Sequence, residues 1–184
     1  MDAKFVKKAE ELFKQNIKTD AIKFHCMEVE AIMKELAKEA GEDEDEWGIT
    51  GLIHDLDFEE NKSIETHAQK TVEMLKEEGF PEEIVHAVAS HNEEGTKVSR
   101  EKKIDYALAA ADNVSGLIYA YGLMKKTLDG MEASGLRKRM KEKRFAANVN
   151  RQKISDIEKA GISLDKFLEV SIKAMQKISD KIGF

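Results

Sequence analysis

The residues best equipped for chemistry in this chain are five histidines and a few aspartates set among apolar neighbours. His54 and Asp55 are adjacent and close the run Gly48-Ile49-Thr50-Gly51-Leu52-Ile53. Neighbouring helical residues diverge by about 100°, so the two can serve one partner only where the chain turns at a helix end. There an imidazole beside a carboxylate makes a pair of metal ligands. His67 falls in line with Ile64, Thr71 and Leu75, and His91 with Ile84 and Val88, so both are expected on the inner faces of helices. His86 lies off that second line and is left out of the site. Asp112 stands in Ala107-Leu108-Ala109-Ala110-Ala111-Asp112-Asn113-Val114, aligned with Ile104 and Leu108. A carboxylate buried on such a face is costly without a cation or hydrogen-bond donors, and no lysine or arginine adjoins it in sequence. Singly, an inward histidine can be a satisfied core residue and such an aspartate an interhelical acceptor. Jointly, His25, His54, Asp55, His67, His91 and Asp112 point to a bound divalent cation.

The elements that must carry these residues read as helices throughout, with no convincing strand. Phe5, Val6, Ala9, Leu12 and Phe13 predict an amphipathic helix over 3–17. A second runs from Thr19-Asp20 to Gly41, with Ile22, Cys26, Val29, Met33 and Leu36 as its stripe and His25 flanking it. The acidic run Glu42–Glu46 suits the N-terminus of a third, where the helix dipole favours negative charge. A fourth is expected over 62–78, a fifth from Pro81 to His91, and a long apolar one from about Glu101 to Tyr121. Residues 130–150 are basic and weakly periodic, and the last helix spans about Ser163–Ile182. The expected fold is an all-α, single-domain bundle covering 1–184, with a metal-binding core over about 19–122 and additional C-terminal helices over about 123–184.

Composition narrows the function. The apolar fraction of 41% supports a buried core, and a net charge of −6 argues against a nucleic-acid grip by the whole surface. No apolar run reaches the roughly 18 residues of a membrane span and no signal peptide opens the chain, so a cytoplasmic protein without membrane partners is expected. The single cysteine, Cys26, cannot form an internal disulfide and is expected to be a buried thiol. The basic run Arg137–Arg144 could meet a polyanion, but reads as the solvated face of a helix.

The ordered set His25, His54-Asp55 and Asp112 resembles the HD superfamily of metal-dependent phosphohydrolases, with Gly51-Leu52-Ile53 as the approach to the doublet. Glu78-Gly79-Phe80-Pro81-Glu82-Glu83-Ile84, Phe145 to Arg151 and Phe167 to Gly183 are similar to small stand-alone prokaryotic members. The resemblance implies a helical bundle of the HD type and assigns His25, His54, Asp55 and Asp112 to one ion. It implies that His67 and His91 serve a second, with Asp55 bridging. The metal would be Mn, Fe, Zn, Co or Ni, as one or two ions. Two departures stand out. Many binuclear members carry His-His where this chain has His91-Asn92, and the cyclic-dinucleotide signatures are absent, since Leu56-Asp57-Phe58 follows the doublet.

The resemblance implies hydrolysis of a phosphomonoester or phosphodiester, such as a nucleotide, by metal-activated water. Asp55 is a candidate catalytic residue, and Asp57 and Glu28 are candidates for outer carboxylates that assist. Lys103, Arg144 and Arg151 are candidates for binding a small phosphorylated substrate. Two alternatives remain open at this point: a di-iron oxygenase using the same ligands, and a non-catalytic nucleotide-binding module.

Overall fold

The computed structural model describes residues 1–184 and contains helices and turns but no strand. Asp2 caps α1 (Ala3–Asn16) by accepting the Lys4 amide. The long α2 (Asp20–Ala40) stops at Gly41, whose left-handed φ of 70° lets its amide reach the Ala37 and Lys38 carbonyls. Asp43 caps α3 (Glu44–Ile53) and three acidic residues fill its first turn, which agrees with the dipole argument. α3 is short and buried on every side from Trp47 to Ile53. It therefore shows no polar face, and its one free end delivers His54 and Asp55.

Residues between α3 and α4 (Gln69–Glu77) form turns, not the expected first half of a helix over 62–78. The cause is a set of side-chain bonds that satisfies this backbone without a helix. Asp57 accepts the Ala68 amide, Asn92 donates to the Ile64 and His67 carbonyls, and Ala68 adopts a left-handed φ of 74°. Ile64 is accordingly exposed, while His67 is held inward from a turn. Next come α5 (Glu82–His91) and a single-turn α6 (Glu93–Thr96) inside the expected loop. α7 (Lys103–Lys125) runs one turn beyond its expected end. α8 (Ala133–Lys141) and α9 (Arg151–Ser155) give shape to the basic stretch and its exit. α10 (Leu164–Gln176) ends earlier than expected and is followed by a turn of 3-10 helix, Ser179–Lys181.

α2 packs on α3, α7 and α10, and α5 packs on α7. Apolar side chains from Ala9 to Ile182 form one continuous core that includes Phe167 and Ile53. Cys26 lies within it, and burial pushes its thiol well above the ordinary range. No helix is long and apolar enough to cross a membrane.

A close approach of α3 to α2 sets the position of the doublet. A Cβ on Gly51 would stand 2.9 Å from the Val29 carbonyl and from the Glu30 amide nitrogen. That backbone cannot retreat without displacing α2, which carries His25. Gly51→Ala is expected to lower stability by about 1–3 kcal/mol, the usual cost of overpacking, in urea titration. Loss of metal uptake should accompany it, because α3 and α2 move apart.

Candidate metal centre

Six side chains converge where the end of α3 meets α2, α5, α7 and the turn before α4. His25 comes from α2, His54 and Asp55 from the end of α3, His67 from the turn, His91 from the last residue of α5, and Asp112 from the middle of α7. Two clusters result. His25 Nε2 lies 3.3 Å from His54 Nε2 and 3.3 Å from Asp112 Oδ1. His67 Nε2 lies 3.0 Å from His91 Nε2 and 3.0 Å from Asp55 Oδ1. Asp55 joins both, with Oδ1 3.2 Å from His54 Nε2 and Oδ2 3.6 Å from His25 Nε2.

Each ring is turned by a partner on its outer nitrogen. His54 Nδ1 donates to the Gly51 carbonyl at 2.8 Å and His91 Nδ1 to the Val88 carbonyl at 2.5 Å. A carbonyl only accepts, so in both rings the Nδ1 carries the proton and Nε2 presents a lone pair to the centre. His67 Nδ1 is 3.0 Å from Asp57, which fixes it likewise. Ser115 gives its hydroxyl proton to the Asp112 carbonyl, so it accepts from His25 Nδ1 at 3.3 Å. All four Nε2 atoms therefore point inward, and lone pairs 3.0–3.3 Å apart repel unless a positive charge lies between them. A proton or a metal ion meets that need. Ligands about 2.0–2.2 Å from one ion span such separations at roughly a right angle, so this donor set fits a divalent metal.

The electrostatics follow from the same contacts. Burial opposes a charge on His25 and on His67, but the carboxylates of Asp112, Asp55 and Asp57 outweigh it and lift them to about 9 and about 10. His54 has burial dominating and falls to about 4. Burial likewise opposes ionisation of Asp55 and Asp112. The surrounding imidazoles nevertheless hold Asp55 well below the carboxylate range and Asp112 at about 2.

All six residues lie within the stretch matched by a known family: the model of the HD domain aligns with residues 23–117, just over half of the chain. The chain belongs to the HD domain family. The chain is also 32% identical over 93 residues to ribonuclease Y of Oleidesulfovibrio alaskensis, and equally to ribonuclease Y of Cutibacterium acnes. Each alignment covers 50% of this chain but only 17% of the relative, so the chain spans less than a fifth of the curated relatives it matches. No solved structure matches it.

Around the HD cluster lies a pocket of about 430 Å³. Three of the residues expected to bind substrate do not reach it. Lys103 pairs with Glu42 near the start of α7, nine residues before Asp112 and so about 13 Å away along the axis. Arg144 is exposed outside the pocket. Arg151 spends its guanidinium on the carbonyls of Glu142, Phe145, Ala146 and Val149, leaving no fork for a phosphate. Glu28 is buried one turn beyond His25, is raised by burial to about 8, and does not line the pocket. Asp57 stands behind His67, as described. The cations that do line the pocket are Lys62 and Lys153, accompanied by Asn113 and Asn148. Sequence reasoning passed over them because they sit in turns and a short helix whose local pattern carries no signal. Ser115 did have one, standing three residues beyond Asp112 on α7. His86 pairs with Asp105 at 3.1 Å and lines a different pocket.

His54→Ala should therefore remove most of the bound metal and His86→Ala none, by elemental analysis of protein reconstituted with Mn; equal losses would contradict the assignment. The raised values of His25 and His67 also mean that both bind protons at neutral pH in the metal-free protein. A metal must displace those protons, so uptake should strengthen as pH rises from 6 towards about 9. In the metal-free protein the sign is reversed for stability. The contribution of these two ion pairs is complete below the ordinary histidine value of about 6.5 and is lost as pH rises through about 9 to about 10. Calorimetric titration with Mn in buffers of different ionisation enthalpy checks the first, and chelator-treated protein in urea the second.

Proposed function

We propose that this HD-domain protein is a metal-dependent hydrolase of phosphoric esters acting on a small phosphorylated substrate such as a nucleotide. The reading is carried by Asp55 standing between two imidazole clusters at the floor of a pocket that also presents two lysines. His25, His54, Asp55 and Asp112 would hold one ion, and Asp55, His67 and His91 a second. Bound there, a divalent ion would supply polarisation of phosphoryl oxygens and a water of lowered pKa.

The chain's own groups do the rest. The Gly51 and Val88 carbonyls keep His54 and His91 in the tautomer that offers Nε2, and Asp57 keeps His67 turned inward. Asp57 is held ionised despite burial, chiefly by the His67 hydrogen bond and the Ala68 amide, so it stays an acceptor at neutral pH. Lys62, Lys153 and the side-chain amide of Asn148 offer donors to a phosphoryl group entering from outside, while the Asn113 amide is spent on the Ala109 carbonyl and Asp112. Phe58, edge-on to His67 with ring centres 5.1 Å apart, and Ile22 give apolar surface to the organic part of the substrate. A pocket of about 430 Å³ suits a ligand of nucleotide size. The two relatives are named as ribonucleases, which brings RNA phosphodiesters into the same substrate class.

The test is product release from nucleotides, generic phosphoesters and a short RNA, with Mn, Fe, Co, Ni or Zn supplied in turn. Activity is expected with at least one metal. Asp55→Ala should lower it by at least about 100-fold, the scale of losing one transition-state charge stabiliser, with helical circular dichroism retained. Oxygen uptake by the iron-loaded protein without any phosphoester turnover would favour an oxygenase instead.

A further inference from the structure

We infer that Lys153, supplied by the C-terminal extension and not by the HD segment, is the residue that grips the phosphoryl group of the substrate. The inference rests on the hydrolase reading for its ligand, and on geometry for its residue. Lys153 sits on α9, 36 residues beyond the end of the matched HD stretch at 117, and lines the pocket with His25, Asp55, His67, His91 and Asp112. Its Nζ donates to the His91 carbonyl at 2.8 Å. That is its one polar contact: no carboxylate pairs with it, although ion pairs are common on this acidic chain. An ammonium has three donors, so two remain for a ligand.

The lysine is held, not trailing from a surface. The Asn150 side chain accepts the amides of Gln152 and Lys153, and so caps α9. The Asn150 amide in turn donates to Asn113 Oδ1 at 2.8 Å, while Asn113 Nδ2 donates to Asp112 Oδ2 at 3.1 Å. One continuous chain of bonds therefore ties Asp112, at the cluster, to the helix that carries Lys153. Arg151 braces the preceding loop, and Ile154 is fully buried beneath. α9 is thus referenced to the site twice, at its N-cap through Asn113 and at its middle residue through the His91 carbonyl.

A half-buried ammonium without a counter-ion loses hydration and gains little from one carbonyl, unless an anion completes its shell. Phosphoryl oxygens are such an anion, and a lysine binds them as a compact point charge. Lys62 differs: it is exposed on the turn before α4, without a hydrogen bond to fix it. It adds charge at the rim, whereas Lys153 fixes position.

The experiment uses the full chain loaded with Mn and inorganic phosphate as the probe, in wild type, Lys153→Gln and Lys153→Arg. Gln keeps a donor for the His91 carbonyl but removes the charge. Lys153→Gln should weaken phosphate binding by roughly ten- to a hundredfold in calorimetry, with unchanged Mn content and melting temperature, and Lys153→Arg should restore most of it. Where a phosphoester is turned over, KM should rise more than kcat falls. Wild-type affinity in Lys153→Gln, or no phosphate binding by the wild type, overturns the inference. So does a loss of Mn and of thermal stability that Lys153→Arg does not rescue, since Lys153 is then only a pin for α9. Phosphate binding that depends on Lys153 without any turnover supports the grip and sinks the hydrolase reading. Turnover with a KM indifferent to Lys153 does the reverse.

Discussion

Four imidazole nitrogens and two carboxylates share a space a few ångströms across, and their lone pairs cannot rest so close without positive charge among them. Protons on His25 and His67 supply it in the metal-free protein, at the cost of holding two charged rings away from water. A divalent ion supplies it better, because it meets several donors at once. The outer nitrogen of every ring is bound to an acceptor, so no ring can escape the conflict by rotating. The inward arrangement is built into the backbone carbonyls of α3 and α5, the carboxylate of Asp57 and the hydroxyl of Ser115.

The rest of the structure serves that arrangement. Gly51 lets α3 lie against the backbone of α2, which places the doublet beside His25. Asn92 follows His91, and its amide holds the turn bearing His67. It acts as a brace, and Asp55, His67 and His91 form the second donor group. The C-terminal helices close one side of the site through Asn150 and Lys153, so the HD segment alone does not build the whole pocket.

The fold was legible from its sequence because its signals are local. Gly41, the acidic run Glu42–Glu46 and apolar stripes repeating at helical spacing mark where helices start, stop and face. The reading failed where side chains at a distance replace backbone bonds. The turn at His67 looks like helix by periodicity, yet Asp57 and Asn92 satisfy its amides and carbonyls from elsewhere. The gathered His and Asp residues were legible for a similar reason, since each is a polar group misplaced on an apolar stretch. Substrate-facing cations were not. A lysine's charge looks the same on any surface, and only the path of α9 across the pocket separates Lys153 from Lys103. Arg151 shows the converse error, an arginine in a suggestive stretch whose donors are consumed by loop carbonyls.

Anomalous diffraction from crystals grown with Mn decides whether these six side chains surround metal. A peak is expected among His25, His54, Asp55 and Asp112, and a second among Asp55, His67 and His91. Density for an ion elsewhere, or an ordered cluster with none after Mn soaking at pH 8, would contradict that expectation.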